Sequence, residues 1–129
     1  MRIKITAGGL EVFGSLNGSR TAKLIAEGLP FTARVELWGE EVYFYIKPKT
    51  VIEKEYAADV VAAGDLAYWP QGPCMCLFFG LTPNSRDGKI MPASTVNLLG
   101  KLEGDPRILS RVKEGEPIKV ERADDKKGG

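Results

Sequence analysis

Apolar and polar positions alternate with a period of two along most of this chain, and one stretch repeats at helical spacing. Residues 2–6 put Ile3 and Ile5 on one face and Arg2 and Lys4 on the other, the pattern of a half-buried strand. Gly8-Gly9 turns the chain, and residues 10–16 read as a second strand closing a hairpin. A helix is expected from the Asn17-Gly18-Ser19 break to about Glu27. Ser19 or Thr21 can cap it, and Ala22, Leu24, Ile25 and Leu29 form its apolar stripe. Gly28 stands where a left-handed C-cap belongs, with Pro30 beyond it.

The sharpest pattern follows. Residues 32–38 and 41–46 flank Gly39-Glu40, and glycine at the first of two loop positions marks a type II′ turn. A two-residue loop sets the register: Trp38 opposite Glu41, Leu37 opposite Val42, Glu36 opposite Tyr43, Val35 opposite Phe44, Arg34 opposite Tyr45. One face then holds Ala33, Val35, Leu37, Val42, Phe44 and Ile46; the other holds Arg34, Glu36, Trp38, Glu41, Tyr43 and Tyr45. A slip by one residue would mix the two faces, so this register is the one the pattern supports.

Beyond the hairpin, residues 48–55 read as a short strand or a loop, and 57–63 as a brief helical or extended piece, with neither choice settled by pattern. Gly64-Asp65 is a turn, with Asp65 making Asx-type hydrogen bonds. Strands are expected over 66–69, 74–79, 95–102 and 117–122, that over 74–79 being apolar enough to be covered on both faces. Residues 82–92 read as a surface loop, and Asp105-Pro106 as an N-cap followed by proline, opening a short helix to about Val112. About eight short strands with one medium and one short helix predict a mainly β fold, a small closed barrel with helical plugs. A single domain is expected over residues 1–122, with residues 123–129 a frayed tail.

Composition narrows the chemistry. At 129 residues the chain can bury a sizeable core without a metal or a disulfide. Eighteen basic residues against seventeen acidic leave a net charge of +1, which gives no long-range field for nucleic acid or an anionic membrane. There is no histidine, so Ser-His-Asp, Cys-His and HExxH designs are excluded within one chain. Cys74 and Cys76 share one face of a strand and lack partners for a metal site; they are expected as buried, reduced thiols about 6–7 Å apart. No cofactor is implied. The early residues lack a signal-peptide apolar run and no stretch is long enough to span a bilayer, so a cytoplasmic location is expected.

Three segments, Trp38-Gly39-Glu40-Glu41-Val42-Tyr43-Phe44, Gly64-Asp65-Leu66-Ala67-Tyr68-Trp69-Pro70 and Phe78-Phe79-Gly80-Leu81-Thr82-Pro83, resemble in order and spacing the small prokaryotic cyclophilin-like proteins, a family without an assigned function. The resemblance implies a closed eight-stranded cyclophilin-like barrel. True cyclophilins carry a Phe-His-Arg signature after the first helix; here the matching stretch is Phe31-Thr32-Ala33-Arg34, which keeps the arginine and lacks the histidine. A shared fold does not carry the function across.

The candidate ligand-binding residues are Arg34, Glu36, Trp38, Tyr43 and Tyr45 on the polar hairpin face, with Tyr68 and Trp69 at a pocket mouth. A guanidinium and several aromatics on one sheet face give contact area and direction, which interfaces and small-molecule grooves use. A plain solvated face, or aromatics filling the barrel end, is the alternative. The expected function is a binding module for a small molecule or an extended peptide, with no catalytic residue assigned. A weak or atypical prolyl isomerase using Arg34 is the runner-up. A homodimer burying the same face is the third reading.

Overall fold

The computed structural model describes residues 1–123. The expected tail thus lies outside the described residues except for Ala123, whose N–H still donates to the Arg2 carbonyl. In chain order the elements are β1 (Arg2–Ala7), β2 (Leu10–Leu16), helix α1 (Arg20–Glu27), β3 (Phe31–Arg34), β4 (Glu36–Leu37) and β5 (Glu41–Tyr45). A 3₁₀ turn (Lys54–Tyr56), β6 (Ala57–Ala58), β7 (Asp65–Trp69), β8 (Cys74–Phe78), β9 (Val96–Leu102), a second 3₁₀ segment (Pro106–Arg111) and β10 (Pro117–Arg122) complete them. All pairings are antiparallel, in the order β3-β10-β1-β2-β9-β7-β8-β5-β4, with β6 added to β9. The two ends of that path, β3 and β4, are consecutive in sequence, so the sheet is a nearly closed barrel. Joining β3 to β4 and setting aside the two-residue β6 leaves the eight strands expected.

The join is where the hairpin reading needs correcting. Trp38, Leu37 and Glu36 meet Glu41, Val42 and Tyr43 as expected. Residues 31–34 instead pair with β10, with Arg34 opposite Pro117. Val35 is the point of transfer: its N–H donates to the Glu116 carbonyl and its own carbonyl accepts from the Gly115 N–H. The expected pairs Val35–Phe44 and Arg34–Tyr45 therefore do not form. A barrel leaves no open edges when its terminal strands find partners on both sides, and one bent segment here serves both neighbours. The Phe31 and Phe44 rings, 6.3 Å apart, bridge the seam between β3 and β5.

The face assignment holds despite that bend. Val35, Val42, Phe44 and Leu77 are fully buried in the inner core, with Leu37 packed against it. Ile3, Ile5, Ile118 and Val120 supply the opposite wall, and Ala22, Ile25, Leu109 and Val112 from the helical segments join them. Ser19 is the N-cap of α1, its hydroxyl accepting from the Ala22 N–H at 3.1 Å. Gly28 has φ −92° rather than the left-handed value expected. The second helical segment is 3₁₀ rather than α; the Asp105 side chain caps it by accepting from the Arg107 N–H.

The segment that pattern could not assign, residues 47–63, is pinned by buried Asn97. The amide nitrogen donates to the Thr21 hydroxyl and the Val51 carbonyl, and its oxygen accepts from the Glu53 N–H at 2.7 Å. Glu53 in turn accepts from the N–H groups of Arg20 and Thr21 and from the Thr21 hydroxyl. A carboxylate thus meets the free donors at the start of α1, where the helix dipole favours negative charge.

A second apolar layer lies outside the barrel. Val61, Ala67, Cys74, Cys76, Phe78 and Val96 are buried there, with Tyr43, Trp69, Ile90 and Leu98 packed around them. Residues 82–92, expected as a surface loop, help to cover this layer: Ile90 bridges to Val61, and buried Thr82 donates its hydroxyl to the Met91 carbonyl. Thus β8 is covered on both faces, as its unbroken apolar run required. Among the described residues no helix is long and apolar enough to cross a membrane.

Candidate functional site

Where the cover stops short of the barrel, the outer face of β5, β8 and β7 forms a cavity of about 220 Å³. Its shape follows from side-chain size across the register. Tyr45, Cys74 and Trp69 form one cross-strand row, and Tyr43, Cys76 and Ala67 form the next. Small side chains on the middle strand give a floor, and large rings on either side give walls. Trp38, Glu41, Pro92, Ala93 and Val96 complete the lining.

The walls are held in place. The Trp69 indole donates to the Ser94 hydroxyl at 2.6 Å, tying the β7 wall to the covering loop. Gly72 lies so close to that ring that a Cβ there would sit 2.9 Å from Cζ3, a gap only glycine leaves. Tyr43 and Tyr45 pack edge to face, with centroids 6.1 Å apart. Burial, then the nearby Tyr45, pushes the Tyr43 hydroxyl pKa upward.

Glu41 is the charged group of the cavity. Its residue is 5% exposed, and burial raises its carboxyl pKa to about 7, partly countered by a hydrogen bond with the Cys76 thiol. Among the described residues it makes no ion pair. Cys76 is pushed well above the usual thiol range, first by its contact with Cys74 and then by burial. The two sulfurs are 3.8 Å apart, closer than the ~6–7 Å expected from strand rise, which sets the spacing of the backbone positions and not that of the side-chain tips. Both thiols are free, and no three His, Cys, Asp or Glu among the described residues converge on a metal position.

The seven candidate residues separate into three places. Trp38, Tyr43, Tyr45 and Trp69 line the cavity together. Arg34 and Glu36 border a different groove of about 750 Å³ over the β3–β5 seam, where Tyr45 also reaches and Leu24, Pro30 and Lys47 complete the wall. Arg34 there donates to the Gly115 carbonyl at 2.8 Å, a consequence of the bend at Val35. Tyr68 points the other way, into the barrel, where it is fully buried; its hydroxyl donates to the Pro48 carbonyl and accepts from the Thr50 N–H. Tyr68 and Trp69 are adjacent on a strand, so one of them had to face inward. Asp65 serves the turn as expected, accepting from the Ala62 N–H and facing Lys101.

The site also contains Glu41, the two cysteines and residues of the segment 92–96, none of which the sequence pattern singles out as ligand-binding. Glu41 was readable, since the hairpin register puts it beside Tyr43 and Tyr45. The cover was not, because nothing in its local pattern says where it lands.

Residues 1–121 match the cyclophilin-like family, and the chain belongs to that family. Its fold is similar to the solution structure of a hypothetical protein from Archaeoglobus fulgidus, with a TM-score of 0.80, 40% identity and 95% of each chain covered. Among curated proteins, none matches the sequence.

Proposed function

Starting from membership of the cyclophilin-like family, we propose that this chain is a binding module whose outer cavity takes one compact small molecule. The carrying observation is the cavity itself: four aromatic side chains from β5, β7 and the β4–β5 turn, braced by Ser94 and Gly72, around a floor of small residues. Ligand sites are concave, mostly apolar and equipped with a few polar groups that fix orientation, and Glu41 is such a group here. The volume suits a fragment-sized ligand. An extended peptide would need the longer seam groove, where Arg34 is already engaged by Gly115.

A fragment titration followed by the indole N–H signals of Trp38 and Trp69 tests this reading. The expected result is a set of saturable ligands that shift Trp69 and lose affinity in Trp69→Leu. Ligands that bind elsewhere, or no saturable ligand at all, overturn it.

A further inference from the structure

The same cavity has a chemical preference, and naming it rests on the reading just given. We propose that its ligand is a compact organic cation, an ammonium or a related protonated nitrogen head, received by the Glu41 carboxylate within the ring of Trp38, Tyr43, Tyr45 and Trp69. A carboxylate withdrawn from water is costly unless an opposite charge or several donors meet it. At Glu41 neither is supplied: among the described residues no lysine or arginine pairs with it, and the Cys76 thiol is a weak donor. Its place on the cavity wall leaves the remaining hydrogen-bonding capacity for whatever enters.

The rings point to the same class. Aromatic faces carry negative potential, and rings assembled around a cavity are a recurrent means of holding ammonium groups. An anionic ligand would meet like charge from Glu41 and from four electron-rich rings. A neutral ligand would gain the apolar contact and leave the carboxylate without a partner.

Matched probes at pH 8 decide the matter: choline against its uncharged isostere, in which a tert-butyl group replaces the trimethylammonium, and benzylamine against benzyl alcohol. Binding is followed by Trp38 and Trp69 indole signals in the full chain. Each cation is expected to bind about tenfold or more tightly than its neutral partner, as ion pairing with a carboxylate withdrawn from water and desolvated cation–π contacts allow. That advantage should fall severalfold in Glu41→Gln, which keeps the shape of the side chain and removes the charge, with the rings supplying what remains. Neutral probes that bind the cavity as well as the cations do overturn the cation assignment and leave the pocket reading standing; a cation preference undiminished in Glu41→Gln overturns the part given to the Glu41 carboxylate. Failure of every probe and fragment to reach the cavity overturns both. Anionic or neutral fragments binding while cations do not overturns the cation assignment alone.

Discussion

At the scale of single residues, Glu41 is the side chain that works against the fold. Its carboxyl titrates near 7 in the folded protein against an ordinary value of 4.5, because burial disfavours the charge. A carboxyl raised by folding stabilises the native state fully at low pH, where both states are protonated. That contribution is lost as pH rises from about 4.5 through 7, since the unfolded chain ionises first. Glu41→Gln should therefore leave stability near pH 4 unchanged and add about 2–3 kcal/mol above pH 7. Thermal melts of both proteins across that range check it, and parallel curves at pH 4 and pH 8 refute it. The other ionisable groups near Glu41 are Tyr43 and Tyr45 on its own strand, Cys74 and Cys76 on β8, and Glu36 on β4 opposite Tyr43. Tyr43 and Cys76 are pushed upward, away from this window. Arg34, the residue an isomerase reading would rely on, is engaged elsewhere. Its guanidinium is held by a backbone carbonyl, and the histidine of the true cyclophilin signature is absent. Prolyl isomerisation of an X-Pro peptide should run within a few-fold of the buffer rate, against a barrier of about 18–20 kcal/mol. A large acceleration that disappears in Arg34→Ala would restore the isomerase reading.

At the scale of elements, what was legible depended on how far each signal reaches. The two-residue loop, with Gly39 at positive φ, and the face sorting of 36–37 against 42–43 are local, and both stand. The continuation to Arg34 fails because a strand's partner is a tertiary choice: residues 31–34 pair with β10, and Gly115 and Glu116 just ahead of it meet Val35, so the segment bends away from β5. Residues 47–63 were unreadable for a related reason. Their backbone is met by the Asn97 and Tyr68 side chains, and no periodicity encodes hydrogen bonds to side chains that distant in sequence. This makes Asn97 the better probe of that segment. Asn97→Ala leaves the Glu53 N–H and the Val51 carbonyl without their partner and should cost about 1–3 kcal/mol. Amide exchange should accelerate at Glu53 and in β6 while the β1–β2 hairpin stays protected; uniform acceleration would argue against a locally pinned strap. The inner face gives a different test. Phe44 is fully buried beside Phe31, and Phe44→Ala should cost about 3–5 kcal/mol through lost transfer energy and a residual cavity. An unchanged melting temperature would break the barrel assignment itself.

At the scale of the whole molecule, the structure is two apolar layers that share one sheet. The inner layer is enclosed by the barrel and was readable from alternation. The outer layer exists because β8 is apolar on both faces, and its cover is irregular chain held by side-chain hydrogen bonds at Thr82, Ser85 and Ser94. Irregular cover with few ladder bonds opens at lower free energy than a closed sheet. Cys74 and Cys76 report that difference, because both are buried on the cavity floor between walls that the cover braces, and their sulfurs become accessible when those walls move. Alkylation of the native protein should therefore outrun global unfolding, as measured by exchange of the Val120 amide in the inner barrel. Thr82→Val removes the hydroxyl that bonds Met91 while keeping the shape, so it should speed alkylation severalfold and lower global stability by less, about 1 kcal/mol. A ligand seated in the cavity should slow both cysteines in proportion to occupancy. If alkylation instead tracks Val120 exchange in the parent chain and in Thr82→Val alike, the two layers unfold as one. The cavity would then be a fixed recess rather than a pocket with an opening wall.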